Sequence, residues 1–120
     1  MKPSQLVAMQ LSTNLPKDYM EFLDNTGYKY IDKLGIEIYG YQQGFDIEKI
    51  PCVIAATNLN KDAYKLSPSE IVISHTGFEE IITILDWETG KVSEIGFDGF
   101  RSPISESFSD WLKARIYFKR

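Results

Sequence analysis

Apolar positions recur along the chain with two different periods, and each change of period marks a new element. Leu15, Tyr19, Phe22 and Leu23 fall at helical spacing. Pro16 suits a first turn, where its missing amide needs no partner. Asp18 and Glu21 lie near the positive end of that helix dipole, and Gly27 offers a left-handed stop. A shorter helix is predicted over 3–12, with Leu6, Met9 and Leu11 as its apolar side. It is too short to stand alone and must dock on the rest. From 35 to 41 the pattern alternates, Ile36, Ile38 and Gly40 against Glu37, Tyr39 and Tyr41, which predicts a strand. Gly44 and Phe45 then turn the chain. Residues 51–65 are predicted helical, opened by Pro51, with Ile54, Ala55, Leu59 and Ala63 as the inner stripe. The β-branched Val53, Ile54 and Thr57 weigh against that helix.

Three strands are predicted next, over 70–74, 80–87 and 91–97. The run Glu88-Thr89-Gly90-Lys91 joins the last two as a hairpin, its glycine supplying the positive φ such a turn needs. A closing helix is predicted from Ser102-Pro103, serine as cap and proline in the first position. Ile104, Phe108, Trp111, Leu112 and Ile116 share one face of it, and Lys113, Arg115, Lys119 and Arg120 crowd its negative end. Clustered strands with short turns, and helices towards both ends, predict an α+β fold. The expectation is a single domain over 1–120, a mostly antiparallel sheet flanked by N- and C-terminal helices.

A chain of 120 residues, 43% hydrophobic and 25% charged, can build one core without disulfides or metals. The lone Cys52 rules out an internal disulfide and any cysteine cluster. With no signal peptide evident, a cytoplasmic setting is expected. No stretch approaches the roughly 18 apolar residues of a membrane span. The net charge of −4 disfavours a nucleic-acid binder, which normally shows a basic face.

Candidate chemistry is sparse. His75 is the only histidine, and its neighbour Ser74 would point to the opposite strand face, so the two would not form a nucleophile–base pair. Cys52 follows Pro51 at a helix start, a place that can activate a thiol, but a small core residue is the simpler reading. One His and one Cys make a poor zinc set. Asp86-Trp87-Glu88-Thr89-Gly90 lacks the ligand spacing of a calcium loop. Gly96-Phe97-Asp98-Gly99 lacks the Lys-Ser/Thr of a phosphate loop. No catalytic residue, cofactor or metal is expected, and the chain is read as a non-enzyme.

One segment is less ordinary. Residues 79–98 hold Glu79, Glu80, Asp86, Glu88, Glu94 and Asp98 against a single Lys91, with Phe78, Trp87, Phe97 and Phe100 interleaved or adjacent. Charge runs usually only solubilise a face. The alternative is an acidic, aromatic-edged docking surface, which would steer a basic partner while a few aromatics carry the binding. On that reading Glu79, Glu80, Trp87, Glu88, Glu94 and Asp98 are the partner-binding candidates.

The run Leu15-Pro16-Lys17-Asp18-Tyr19 through Phe22-Leu23 resembles the "LPxxYxxFL" opening helix of the SUKH superfamily, the Smi/Knr-type domains. Val53-Ile54-Ala55-Ala56-Thr57-Asn58, through Tyr64-Lys65-Leu66 to Ile71-Val72-Ile73, resembles its helix-then-strand passage. Ile104-Ser105-Glu106-Ser107-Phe108 through Trp111-Leu112 resembles its closing "SFxxFL" helix, and Asp86 sits where the family has an aspartate in a strand turn. The resemblance runs from about Leu15 to Ile116. It departs in a shorter segment before Leu15 and in a serine inserted before the proline of Leu66-Ser67-Pro68. It implies an α+β fold with a mostly antiparallel sheet and no shared catalytic residues. It also implies a bacterial immunity protein that neutralises a polymorphic or contact-dependent toxin, a nuclease or deaminase, by protein contact. A non-catalytic adaptor is the alternative, and a small-molecule binder using Tyr39, Tyr41 and Trp87 a third reading. The expected partner is a basic protein toxin, with no nucleic acid and no membrane.

Overall fold

The elements run α1 (Pro3–Leu11), α2 (Lys17–Asn25), β1 (Lys29–Ile31), β2 (Ile36–Ile38), α3 (Val53–Asn60), β3 (Glu70–His75), β4 (Ile82–Asp86), β5 (Val92–Ile95), β6 (Arg101–Ser105) and α4 (Phe108–Ile116). The computed structural model describes residues 1–76 and 80–116. The expectations for Phe78, Glu79, Lys119 and Arg120 fall outside the described residues.

The six strands form one sheet in the spatial order β1-β2-β3-β4-β5-β6, every named pair antiparallel. This is the α+β architecture expected. Register places Ile82, Ile84, Ile95 and Val72 on one face, and Leu85, Thr83, Val92 and Ile71 on the other. All of these are buried, so the middle of the sheet is covered on both sides. Each Ile or Leu fully buried there contributes about 1.5–3 kcal/mol.

The α2 and α4 helices meet through aromatic rings. Phe108 packs edge-on against Tyr19 (4.9 Å between centroids) and Phe22 (5.3 Å), and lies beside Trp111 (5.9 Å). Asp18 ties the helices together: its Oδ2 accepts the Ser109 N–H in the first turn of α4 at 2.9 Å. Asp24, at the far end of α2, accepts both the N–H and the hydroxyl of Ser4, 2.9 and 2.8 Å away. Both carboxylates therefore sit at the positive end of a neighbouring helix.

Three expectations need correction. In α1 the inward residues are Ser4 and Val7, and Met9 is 57% exposed. The α3 helix is shorter than 51–65: Cys52 precedes it and it ends at Asn60. Val53 through Thr57 are all buried, whereas Leu59 is 65% exposed and Ala63 lies beyond the helix on the surface. A helix start buried all round shows no stripe. The β-branched residues do not prevent it; the Thr57 hydroxyl accepts the Val72 N–H of β3 at 2.9 Å.

The third correction concerns Ser102-Pro103, which open no helix. They belong to β6, the last strand of the sheet, which pairs on one side only with β5 and carries a register shift opposite Val92/Ser93. An edge strand with a bulge is where a sheet tolerates proline. The cap of α4 is Ser107, whose Oγ accepts the Asp110 N–H at 3.0 Å. The β1 strand, three residues long, was not expected at all.

Candidate protein-docking surface

The β4–β5 hairpin separates the candidate acids into two groups. At its turn, Asp86 Oδ1 accepts the N–H groups of Glu88 (2.9 Å) and Thr89 (3.4 Å), while the Gly90 N–H donates to the Asp86 carbonyl at 2.7 Å. Gly90 takes φ +81°, as the turn requires. Trp87 is half-buried and anchored: its backbone N–H donates to Ser69 O at 2.8 Å and its indole N–H to Pro68 O at 3.2 Å. Glu88 stands exposed beside it.

The other end of the hairpin lies at the opposite end of β4. Here Glu80 is exposed and adopts φ +60°, and its carbonyl accepts the Tyr64 hydroxyl. The Tyr64 ring lies against Phe97, 4.8 Å between centroids. Next comes the Gly96–Gly99 turn, closed by Gly99 N–H to Gly96 O at 3.0 Å, with Asp98 Oδ1 accepting the Phe100 N–H at 3.0 Å. Phe97 is 56% and Phe100 72% exposed. They border a groove of about 570 Å³ shared with Ile81, Glu94 and Asp98.

Arg101, in β6, ties this turn to Glu70, the β3 residue in register with Asp86. Its Nε and Nη2 donate to the two carboxylate oxygens of Glu70 at 2.6 and 2.7 Å, its Nη1 to Gly99 O at 2.9 Å, and its Nη2 also to Lys65 O at 3.2 Å. Burial pushes the Glu70 carboxyl up, but the guanidinium and the Ser67 N–H outweigh it and hold the group below its ordinary value. The hydrogen bonds to Glu70 push Arg101 up in turn.

Of the expected partner-binding residues, the structure thus brings Glu80, Glu94 and Asp98 around the Phe97 end and leaves Trp87 and Glu88 at the other. Glu94 pairs with Thr83, is half-buried, and also borders a second hollow with Leu34, Ile36 and Arg115. Tyr64 and Arg101 were not foreseen as parts of this surface. The Gly96–Gly99 spacing signals the turn, but nothing local signals that Arg101 pairs with a carboxylate 31 residues away.

The other candidates stand apart. Cys52 is fully buried at the start of α3, and burial pushes its thiol up despite the helix amides around it. The Ser74 hydroxyl donates to Glu37 O at 2.7 Å, on the strand face away from His75. Tyr39, Tyr41 and Trp87 are held by separate partners: Tyr39 is buried and its carbonyl accepts the Tyr19 hydroxyl, Tyr41 packs edge-on against Phe45, and Trp87 sits on the Pro68–Ser69 corner. Among the described residues no group of three or more His, Cys, Asp or Glu is placed to hold a metal, and no helix is long and apolar enough to cross a membrane.

An antiparallel six-strand meander backed by helices defines a Smi/Knr-type α+β domain. The chain belongs to the SUKH_5 family (SMI1-KNR4 cell-wall), which it matches over residues 5–117. No curated protein matches it.

Proposed function

We propose that this chain is a bacterial immunity protein that binds a cognate toxin, a basic nuclease or deaminase, and neutralises it by protein contact. Family membership supports the protein-binding role. The observation that carries the reading is the exposed Phe97–Phe100 pair rimmed by Glu80, Glu94 and Asp98. Exposed apolar patches with polar rims mark interaction sites, and carboxylates around them favour basic partners. A cytoplasmic setting fits the single buried thiol, and one domain over 1–120 fits the common core.

The test is calorimetry against the protein encoded beside this chain. Lysine at Glu80, Glu88, Glu94 and Asp98 together is expected to weaken binding by at least tenfold, with a cooperative melt retained. Unchanged affinity removes the hairpin from the interface. The second reading, a non-catalytic adaptor, is favoured by the cell-wall association of the SMI1-KNR4 family. Capture of a cell-envelope regulator from the native cell, with no toxin gene adjacent, would support it.

A further inference from the structure

We propose that the groove between Ile81, Phe97 and Phe100 is the centre of the partner interface, and that it takes an arginine side chain from a basic protein. This rests on the protein-binding reading above and names the chemistry of the contact. The two phenylalanines project from either side of Asp98, within a turn whose backbone is closed by its own hydrogen bonds. Their rings, 56% and 72% exposed, wall an open groove of about 570 Å³. Glu94 and Asp98 line the same groove, and Glu80 stands beside the Tyr64–Phe97 pair.

Arg101, the cation adjoining this turn, does not neutralise the rim. Its guanidinium is engaged by Glu70 and by the carbonyls of Gly99 and Lys65. An aromatic wall beside a carboxylate suits a planar cation. A guanidinium can stack on a ring and direct its N–H fork at the carboxylate at once, which a lysine ammonium cannot. The groove therefore discriminates arginine from lysine.

The experiment titrates the isotope-labelled full chain with a capped Gly-Arg-Gly-Arg-Gly peptide, following backbone amide shifts. Lysine and glutamate versions serve as comparators. Shifts are expected at Glu80–Ile81 and over 94–102, with the arginine peptide binding several-fold tighter than the lysine one. Phe100→Ala and Asp98→Asn should each weaken binding by roughly tenfold, the loss of one stacking or charge-assisted contact. Asparagine keeps the oxygen that accepts the Phe100 N–H, so the turn survives and only the charge is lost. Glu48→Gln, exposed and outside the hairpin, should change nothing. Equal binding of the arginine and lysine peptides, shifts centred on Trp87–Glu88, or shifts spread over all carboxylates would overturn the proposal. The same variants against the neighbour-encoded protein separate the two levels. Affinity kept in Phe100→Ala and Asp98→Asn but lost in Glu88→Lys sinks the groove and leaves the immunity reading standing. No binding by the wild-type chain sinks the immunity reading itself.

Discussion

Trp111 is 1% exposed, and its indole N–H meets no acceptor among the described residues. Its place in the core rests on packing against Phe108 and on the Arg115 guanidinium 5.2 Å from the ring centroid. Trp111→Ala should cost about 3–5 kcal/mol, enough to unfold much of a marginal domain. Trp111→Phe should cost clearly less, because the smaller ring removes an unsatisfied buried donor along with the lost volume. Urea denaturation of both variants measures the difference; equal costs would mean the N–H is bonded in solution. At Glu70 the expectation concerns pH. Its folded pKa lies below the ordinary value of about 4.3, so the group contributes stability above that value and loses it as pH falls towards the folded pKa. Glu70→Gln should therefore flatten the decline in stability below about pH 4.3. Arg101→Ala leaves a carboxylate side chain only 6% exposed without its cation and should cost about 2 kcal/mol at neutral pH. Thermal melts across pH 3–7 for the three proteins check both.

At the scale of elements, the junction of β6 and α4 carries the sharpest test. The hydroxyl that caps α4 belongs to Ser107 and not to Ser102, which lies exposed in the edge strand. Ser107→Ala should cost about 1 kcal/mol and Ser102→Ala close to nothing, read by chemical denaturation. The reverse order would restore the longer helix that Ser102-Pro103 suggests by composition. That junction shows what was legible in the chain. The inward face of α2, the Phe108 and Trp111 side of α4 and the β4–β5 hairpin could be read from their apolar repeats, whereas Ile104, expected on the same α4 face, lies in β6 and Ile116 is 43% exposed. The β1 strand has three residues and no period to detect. The β6 strand was hidden by a Ser-Pro pair whose local preference suits a helix start equally well, and only its position at the sheet edge decides. Gly40 is a further case of non-local cause. A Cβ there would lie 1.7 Å from Gly27 O, in the crossing that pairs Gly40 with Cys52 ahead of α3, so Gly40→Ala should unfold the domain. Nothing adjacent in sequence announces that crossing.

Across the whole molecule, the buried core and the candidate interface draw on different residues. The buried set is mostly aliphatic and aromatic, with Ser4, Thr57, Ser69, Glu70, Ser74 and Thr83 as its polar members, and it comes from every helix and from β2 through β5, whereas the candidate interface occupies the rim of one hairpin. The acids of that rim were legible as a cluster along the chain. Their division between two ends of the hairpin was not, because register decides it. This separation leads to an expectation that involves the entire charge distribution. The chain carries a net charge of −4, and six of its seventeen acids lie within residues 79–98. Association with a basic partner should then be steered, its on-rate falling as ionic strength rises past roughly 0.1 M, where the screening length shrinks to about 10 Å. The off-rate, set by the seated aromatic contact, should respond far less. Lysine at Glu80 and asparagine at Asp98 should lower the on-rate and its salt dependence together while leaving the melting temperature within a few degrees of wild type, since the turn keeps its acceptor and the domain gains relief from its own like-charge repulsion. Stopped-flow association at several salt concentrations, with a parallel thermal melt, measures both. A salt-independent on-rate would mean that the carboxylates only solubilise the rim and that recognition proceeds without them.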